Sequence, residues 1–340
     1  MADDDDNQRE EEKPQITAEE YLAQQKQSIR KKSWWGIGIG GAVVLLHLLL
    51  FALVITLGNA FLGEDRERLS WSMIFQSMFF VLGLFGLTAG MFGLRYARNL
   101  TLEDIIPSRE AVEFLQAGQG SKPYYSYVLL ISIGAVLLAQ SSIGIDESIV
   151  KAGLDKVDFF QKGEYWRILT AAAMHGGFLH IYFNGQALFG IGSLIEYISN
   201  RAHLATVFTL AAIGGGLASV FLNPTTLPSV GASGGIMGLI GYLAVYGYRR
   251  KQHLPPDFLK TTLINVAFIA GIGIVGYQFI DNFAHGGGLI VGAVYGFLQI
   301  PKNLETNPRE AGPVATIAGM LSLVIYGAAA LLAILRITSD

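Results

Sequence analysis

Seven polar side chains stand within long apolar runs of this chain: His47, His180, Asn184, Glu196, His203, Ser233 and His285. Ionisable or reactive groups are expensive to keep in such surroundings, which makes each a candidate for chemistry. The chain has no cysteine, so thiolate nucleophiles, disulfides and Cys-based metal sites are excluded. Ser233 lies in Gly231-Ala232-Ser233-Gly234-Gly235, and His285 in Ala284-His285-Gly286-Gly287-Gly288. A free serine hydroxyl is a poor nucleophile at neutral pH and needs an adjacent base. The 6 histidines are the side chains whose ordinary pKa lies near neutrality. A serine flanked by glycines at a helix start presents its hydroxyl beside free backbone N–H groups, which suit a developing oxyanion. Either motif alone is ordinary: glycine and serine serve packing between membrane helices, and a lone histidine can simply bond a neighbouring carbonyl. Together they describe nucleophilic acyl transfer.

The helices that carry the pair must bring it together. Gly288, Gly292 and Gly296 form a small-residue stripe at four-residue spacing, and Gly234 and Gly238, with Gly241 close by, form a second. Two such faces can pack backbone to backbone. Ser233 precedes the basic Arg249 by ~24 Å of helix, while His285 precedes Lys302 and Asn184 precedes Arg201 by ~25 Å each, at 1.5 Å per residue. Three polar groups on three parallel helices thus reach one depth, some ångströms beneath one surface of a ~30 Å core. The run that begins at Ser233 is short, so the uncharged loop 223–232 before it must dip into the membrane, where protein or a wet cavity has to shelter it.

The composition agrees with a membrane setting. Of 340 residues 51% are hydrophobic and 15% charged, with 41 glycines, and the mean hydropathy is +0.43; a water-soluble domain of this length needs more charge to cover its surface. Apolar runs at 34–58, 71–94, 124–143, 180–198, 203–222, 233–248, 262–280, 284–300 and 312–335 predict nine spans. Placing the N-terminus inside puts 17 of the 24 Lys and Arg on the inner side and 7 on the outer, which predicts a multi-pass protein of the cell or inner membrane with a cytoplasmic N-terminus and an outer C-terminus. Residues 1–33 read as a disordered, acidic cytoplasmic tail with room for a short surface helix, and carry no cleavable signal pattern. The segment 144–179 reads as a partly interfacial loop.

His180, Asn184, Leu188, Gly192 and Glu196 recur every four residues along one helix face, downstream of Trp166-Arg167 and Met174-His175. At this point the chain resembles the rhomboid family of intramembrane serine proteases over about 124–300: a Trp-Arg pair in the first outer loop, His-x-x-x-Asn on the second core helix, Gly-x-Ser-Gly on the fourth and Ala-His with glycines on the sixth. The resemblance implies an all-α polytopic membrane protein with a six-helix core at 124–300. Two extra helices and a linker would precede it at 34–123, and one extra helix would follow at 301–340. It implies a serine endopeptidase in which Ser233 attacks the scissile carbonyl and His285 takes and returns the proton. His180 and Asn184 would join the Ser233 N–H as the oxyanion hole. Trp166, Arg167, Glu196, Gly231, Gly234, Gly288 and Gly292 would be structural support. Family members usually carry an aromatic ring one turn after the serine; here that place is Met237, whose thioether can touch a ring edge, so looser orientation of the imidazole is expected.

The implied partners are transmembrane protein substrates, cut near the outer face, and the lipid bilayer. No cofactor, metal or nucleic acid is expected, and no H-E-x-x-H ligand set is present. His47 is expected to make one helix–helix hydrogen bond, His203 and His253 to be solvated, and His175 to serve the loop scaffold. Two other readings compete: a catalytically silent rhomboid-like protein that binds client helices, and a transporter or channel. The latter is disfavoured because the polar groups sit near one surface and no inverted repeat is visible.

Overall fold

A computed structural model describes residues 17–61, 77–224 and 227–339. Residues 1–16 of the expected tail, Arg66, Arg68, the start of the 71–94 run, two residues of the 223–232 loop and Asp340 lie outside the described residues. The elements are α1 (Ala18–Phe61), α2 (Met78–Asn99), α3 (Leu102–Ile105), α4 (Arg109–Ala117), α5 (Tyr124–Ile143), α6 (Ile145–Ala152), α7 (Lys156–Gln161), α8 (Arg167–Ala171), α9 (Phe178–Ile198), α10 (Arg201–Leu222), α11 (Ser233–Arg249), α12 (Phe258–Val275), α13 (Asn282–Gln299) and α14 (Pro313–Thr338). Among the described residues the β pairing is a single isolated antiparallel bridge, Leu154 with Ser229. The protein is all-α and polytopic. Among the described residues seven helices are long and apolar enough to cross a membrane: α1, α2, α5, α9, α10, α12 and α14. The remaining two of the nine expected spans are the glycine-rich α11, of 17 residues, and α13, of 18. At 1.5 Å per residue α11 reaches only ~26 Å, while α13, as long as α12, carries the polar Asn282, His285 and Gln299.

The chain divides into two compact units at Ile106/Pro107. In the first, α1 and α2 pair so closely that a Cβ on Gly40 would come within 2.6 Å of the Gly83 carbonyl. Residues 18–33, expected within the disordered tail, are instead the opening turns of α1. Thr17 and Glu20 start the helix by a reciprocal capping box: the Thr17 N–H donates to the Glu20 carboxylate (2.8 Å) and the Glu20 N–H to the Thr17 hydroxyl (3.2 Å). His47 does not make the expected hydrogen bond: its Nε2 is buried without a partner, and the ring packs beside Phe51 and Phe80 at about 6 Å.

The second unit is wider than the 124–300 core at both ends. It takes in α4 and also α14, whose Tyr326 is wholly buried, meets the Phe208 ring edge-on at 5.1 Å and donates its hydroxyl to the Ala172 carbonyl (3.1 Å). The centre is α10 and α11; most of α11 is buried, whereas α12 lies at the periphery with 6% of its apolar stretch buried. Glu196, in the last turn of α9, caps α5 by accepting the N–H groups of Tyr125 (3.1 Å) and Ser126 (3.0 Å) and the Ser126 hydroxyl (2.7 Å). Such charge-assisted bonds satisfy donors that a helix start leaves free.

Two histidines expected in solvent are held by packing. His203 is buried and its Nδ1 pairs with the Tyr295 hydroxyl at 2.8 Å, joining α10 to α13. His253 stacks on Phe114 at 4.6 Å beside Arg250; burial, then the charges of Arg250 and Arg309, push its pKa down. Arg250, counted from sequence as a loop cation, is fully buried and gathers the carbonyls of Asn303 (2.5 Å), Thr306 (2.8 Å) and Leu304 (3.3 Å).

The tightest contact in the unit is the α11–α13 seam. A Cβ on Gly288 would overlap the Gly234 carbonyl, and one on Gly292 the Gly238 carbonyl; the backbones touch because no side chain intervenes. Gly292→Ala should therefore lower stability by about 1–3 kcal/mol, as overpacking does, read as a fall in the thermal unfolding temperature in detergent. Gly327→Ala on α14, where a Cβ would meet nothing within 4 Å, should leave that temperature unchanged or raise it.

Candidate active site

The N-terminal ends of α9, α11 and α13 converge. Ser233 opens α11 and His285 lies in the first turn of α13, where its N–H donates to the Asp281 carbonyl (3.0 Å). The seam just described places Gly234 beside Ala284, whose carbonyl lies 3.5 Å from a Cβ built on that glycine. Ser233 and His285 are thus flanked by touching backbones, and both are half-buried. No hydrogen bond joins the hydroxyl to the imidazole; such bonds are often long before substrate arrives. His285 interacts electrostatically with Asp281 and with His180.

His180 and Asn184 bring two donors to the residue pair before the serine. The Gly176 N–H donates to His180 Nδ1 (3.2 Å), so the neutral ring carries its proton on Nε2. A Cβ built on Gly231 would meet that Nε2 at 2.8 Å and the Asn184 Nδ2 at 3.6 Å. Gly231 has φ +129°, a conformation that L side chains avoid, so glycine is required there both by the backbone and by the two donors. Asn184 is buried, and its Nδ2 has no hydrogen-bond partner. A buried amide normally finds an acceptor; this one has none.

The loop before Ser233 is tied to segment 144–177. Ser229 exchanges two backbone hydrogen bonds with Leu154 (3.0 Å each), and the Gly231 N–H donates to the Ala171 carbonyl (2.9 Å). Arg167 anchors that segment. Its side chain is only 5% exposed, pairs with Asp158 (2.8 Å) and Glu164 (2.5 Å), and donates to the carbonyls of Gly153 (2.8 Å) and Val150 (3.1 Å). The guanidinium groups of Arg167 and Arg336 each lie 5.0 Å from the centre of the Trp166 ring. Met237, one turn after Ser233 on the same helix, is buried in the core.

Sequence reasoning missed two supports. Gln140 of α5 brackets His175, accepting its N–H (2.9 Å) and donating to its carbonyl (3.1 Å) and to Ser148 (2.9 Å). Asp281 caps α13 by accepting the Ala284 N–H (3.0 Å); an Asp three residues before the first periodic apolar position is a readable cap signal. No group of three or more His, Asp or Glu able to hold a metal occurs among the described residues.

With that geometry in place, comparison with known proteins gives the class. The family model of the Rhomboid domain matches residues 162–302, which supports membership of the rhomboid family. It is 31% identical over 217 residues to Rhomboid protease GluP of Bacillus subtilis, a match that covers 62% of this chain and 41% of that protein. RHOMBOID-like protein 1 of Arabidopsis thaliana is 29% identical over 51% of this chain and 45% of its own length. Putative rhomboid protease YdcA of Bacillus subtilis is 29% identical over 41% of this chain and 70% of its own. The chain thus spans less than half the length of the first two relatives.

His175 gives this region a pH dependence. Its ring is completely buried, with neither nitrogen hydrogen-bonded to a side chain or backbone partner, and meets His180 edge-on at 5.1 Å. Burial, then the charge of His180, push its pKa from 6.5 down to about 3. The folded protein therefore binds fewer protons than the unfolded chain below pH 6.5, and stability that is complete above that value is lost as pH falls toward 3. Thermal unfolding followed from pH 7.5 to 5 should show this loss, and His175→Leu, which cannot be protonated, should flatten it.

Proposed function

We propose that the chain is an intramembrane serine endopeptidase that cuts transmembrane protein substrates near the outer membrane face, with Ser233 as nucleophile and His285 as general base and acid. The observation that carries this reading is the pair of donors, His180 Nε2 and the unpartnered Asn184 Nδ2, gathered around Gly231 two residues before a serine at a helix start. A packing motif has no need of a vacant buried donor; an oxyanion hole does. The names of the relatives GluP and YdcA, both called rhomboid proteases, support the same reading.

In the proposed reaction the Ser233 Oγ bonds to the scissile carbonyl carbon while its proton passes to His285. The oxyanion so formed accepts hydrogen bonds from His180, Asn184 and the Ser233 N–H. Collapse breaks the C–N bond and returns the proton to the departing amine, and water then hydrolyses the acyl-enzyme with the same base. The N-terminus is placed in the cytoplasm and the C-terminus outside, on the distribution of Lys and Arg. Residues 1–17 and the first turns of α1 would then be cytoplasmic.

The second reading, a client-binding protein without catalysis, draws on one observation: Ser233 and His285 are not hydrogen-bonded to each other. The two readings part in one assay. Purified wild type, offered a transmembrane reporter and a serine-directed fluorophosphonate, should cleave and become labelled, whereas Ser233→Ala and His285→Ala should do neither. His180→Ala and Asn184→Ala should each lower kcat by about 10²–10³, as loss of an oxyanion donor does. Cleavage by the Ser233→Ala variant would end the dyad assignment, and a folded wild type inert toward both reagents would favour the client-binding protein.

A further inference from the structure

Asp281 lies outside the serine, histidine and His-x-x-x-Asn motifs, yet its carboxylate stands one helical turn from the proposed base. Its Oδ1 accepts the Ala284 N–H (3.0 Å). Its Oδ2 accepts the hydroxyl of Ser219 on α10. Its own carbonyl accepts the His285 N–H (3.0 Å), and its charge acts on the His285 ring. The following residue, Asn282, donates to the Gly273 carbonyl of α12 (2.8 Å). The turn that carries His285 is thereby held on two sides. A helix start alone would be satisfied equally well by Ser or Asn; the Ser219 bond and the neighbouring imidazole are additional. His180 of α9 is the other titratable group that acts on the same ring.

We propose that Asp281 is a positioning residue for His285, pinning its turn to α10 and keeping a fixed negative charge beside the imidazolium that forms during turnover. The inference rests on the endopeptidase reading above. Asp281 exchanges no proton in either step, and no hydrogen bond joins it to the ring. The proton taken from Ser233 rests on His285 until the departing amine receives it, and the carboxylate stabilises that charged interval. Because two hydrogen bonds already hold the carboxylate, it need not reorganise as the charge appears.

The test compares the full-length wild type with Asp281→Asn and Ser219→Ala in detergent micelles, measuring reporter cleavage, fluorophosphonate labelling and thermal unfolding. Asp281→Asn keeps a cap acceptor and removes the charge. It should lower kcat about tenfold, the scale of one nearby charge, leave KM unchanged and displace the acid limb of the kcat/KM–pH profile. Ser219→Ala keeps the charge but unties it, and should lower kcat about threefold, below the cost of losing the charge itself, with KM unchanged. An Asp281→Asn protein that unfolds at the wild-type temperature with unaltered kcat and an unmoved acid limb overturns the proposal. If Asp281→Asn does not fold, a Ser219→Ala protein with wild-type kcat overturns it. Wild type that neither cleaves nor labels removes the endopeptidase reading and this inference together, whereas active wild type with an indifferent Asp281 removes only the inference.

Discussion

The backbone contact between α11 and α13 is the constraint on which the rest of the candidate site depends. Ser233 and His285 are 52 positions apart in the chain and sit on short side chains, so they can share a pocket only if their helices approach far more closely than side-chain packing ordinarily permits. Gly234 against Gly288 and Gly238 against Gly292 supply that approach. In a bilayer, where lipid competes for apolar surface as well as protein does, close van der Waals contact between small residues is a principal source of helix association. The same glycines that make the helices weak spans on their own make them a strong pair.

A second constraint runs through the irregular segment before α9. Arg167 draws Asp158, Glu164 and the carbonyls of Val150 and Gly153 to one point. The strand-like pairing of Leu154 with Ser229 and the bond from Gly231 to Ala171 pass that rigidity to the loop that delivers Ser233. Breaking a buried ion pair leaves an uncompensated charge and is strongly destabilising, so this anchor is more than a surface decoration. The serine loop is held from one side by the anchored segment and is met from the other by His180 and Asn184. Its non-helical backbone is fastened at Ser229 and Gly231 by hydrogen bonds to protein, which meets polar needs that lipid could not.

The polar groups of the second unit fall into two physical kinds. Glu196, Gln140 and Tyr326 are buried with their hydrogen bonds made, as is Arg250 at both terminal nitrogens but not at Nε, and each fastens two parts of the chain together. Asn184 Nδ2 and the ring of His175 are buried without such partners, a condition that costs free energy. For Asn184 the proposed chemistry supplies a reason for that cost, because the missing acceptor would be the substrate's oxygen. For His175 the consequence is a ring that resists protonation beside His180.

Much of this protein was determined by sequence alone. Apolar runs of spanning length, divided by charged or glycine-rich breaks, set the helices, because a backbone in lipid must satisfy its own hydrogen bonds. Glycines at four-residue spacing set which faces could touch, and the order of the Trp-Arg, His-x-x-x-Asn, Gly-x-Ser-Gly and Ala-His motifs carried the resemblance to the rhomboid family. Local signals were present but unread for the start of α1 at Thr17-Ala18-Glu19-Glu20 and for the cap at Asp281. What only the tertiary structure decided concerns contacts between residues far apart in the chain. These include the burial of His203 against Tyr295, the stacking of His253 on Phe114, the capture of loop 301–306 by Arg250, the inclusion of α14 in the second unit and the vacancy at Asn184. In each case the side chain's type was visible, but whether it met water, lipid or a partner depended on a helix many residues distant, and no local pattern encodes that choice.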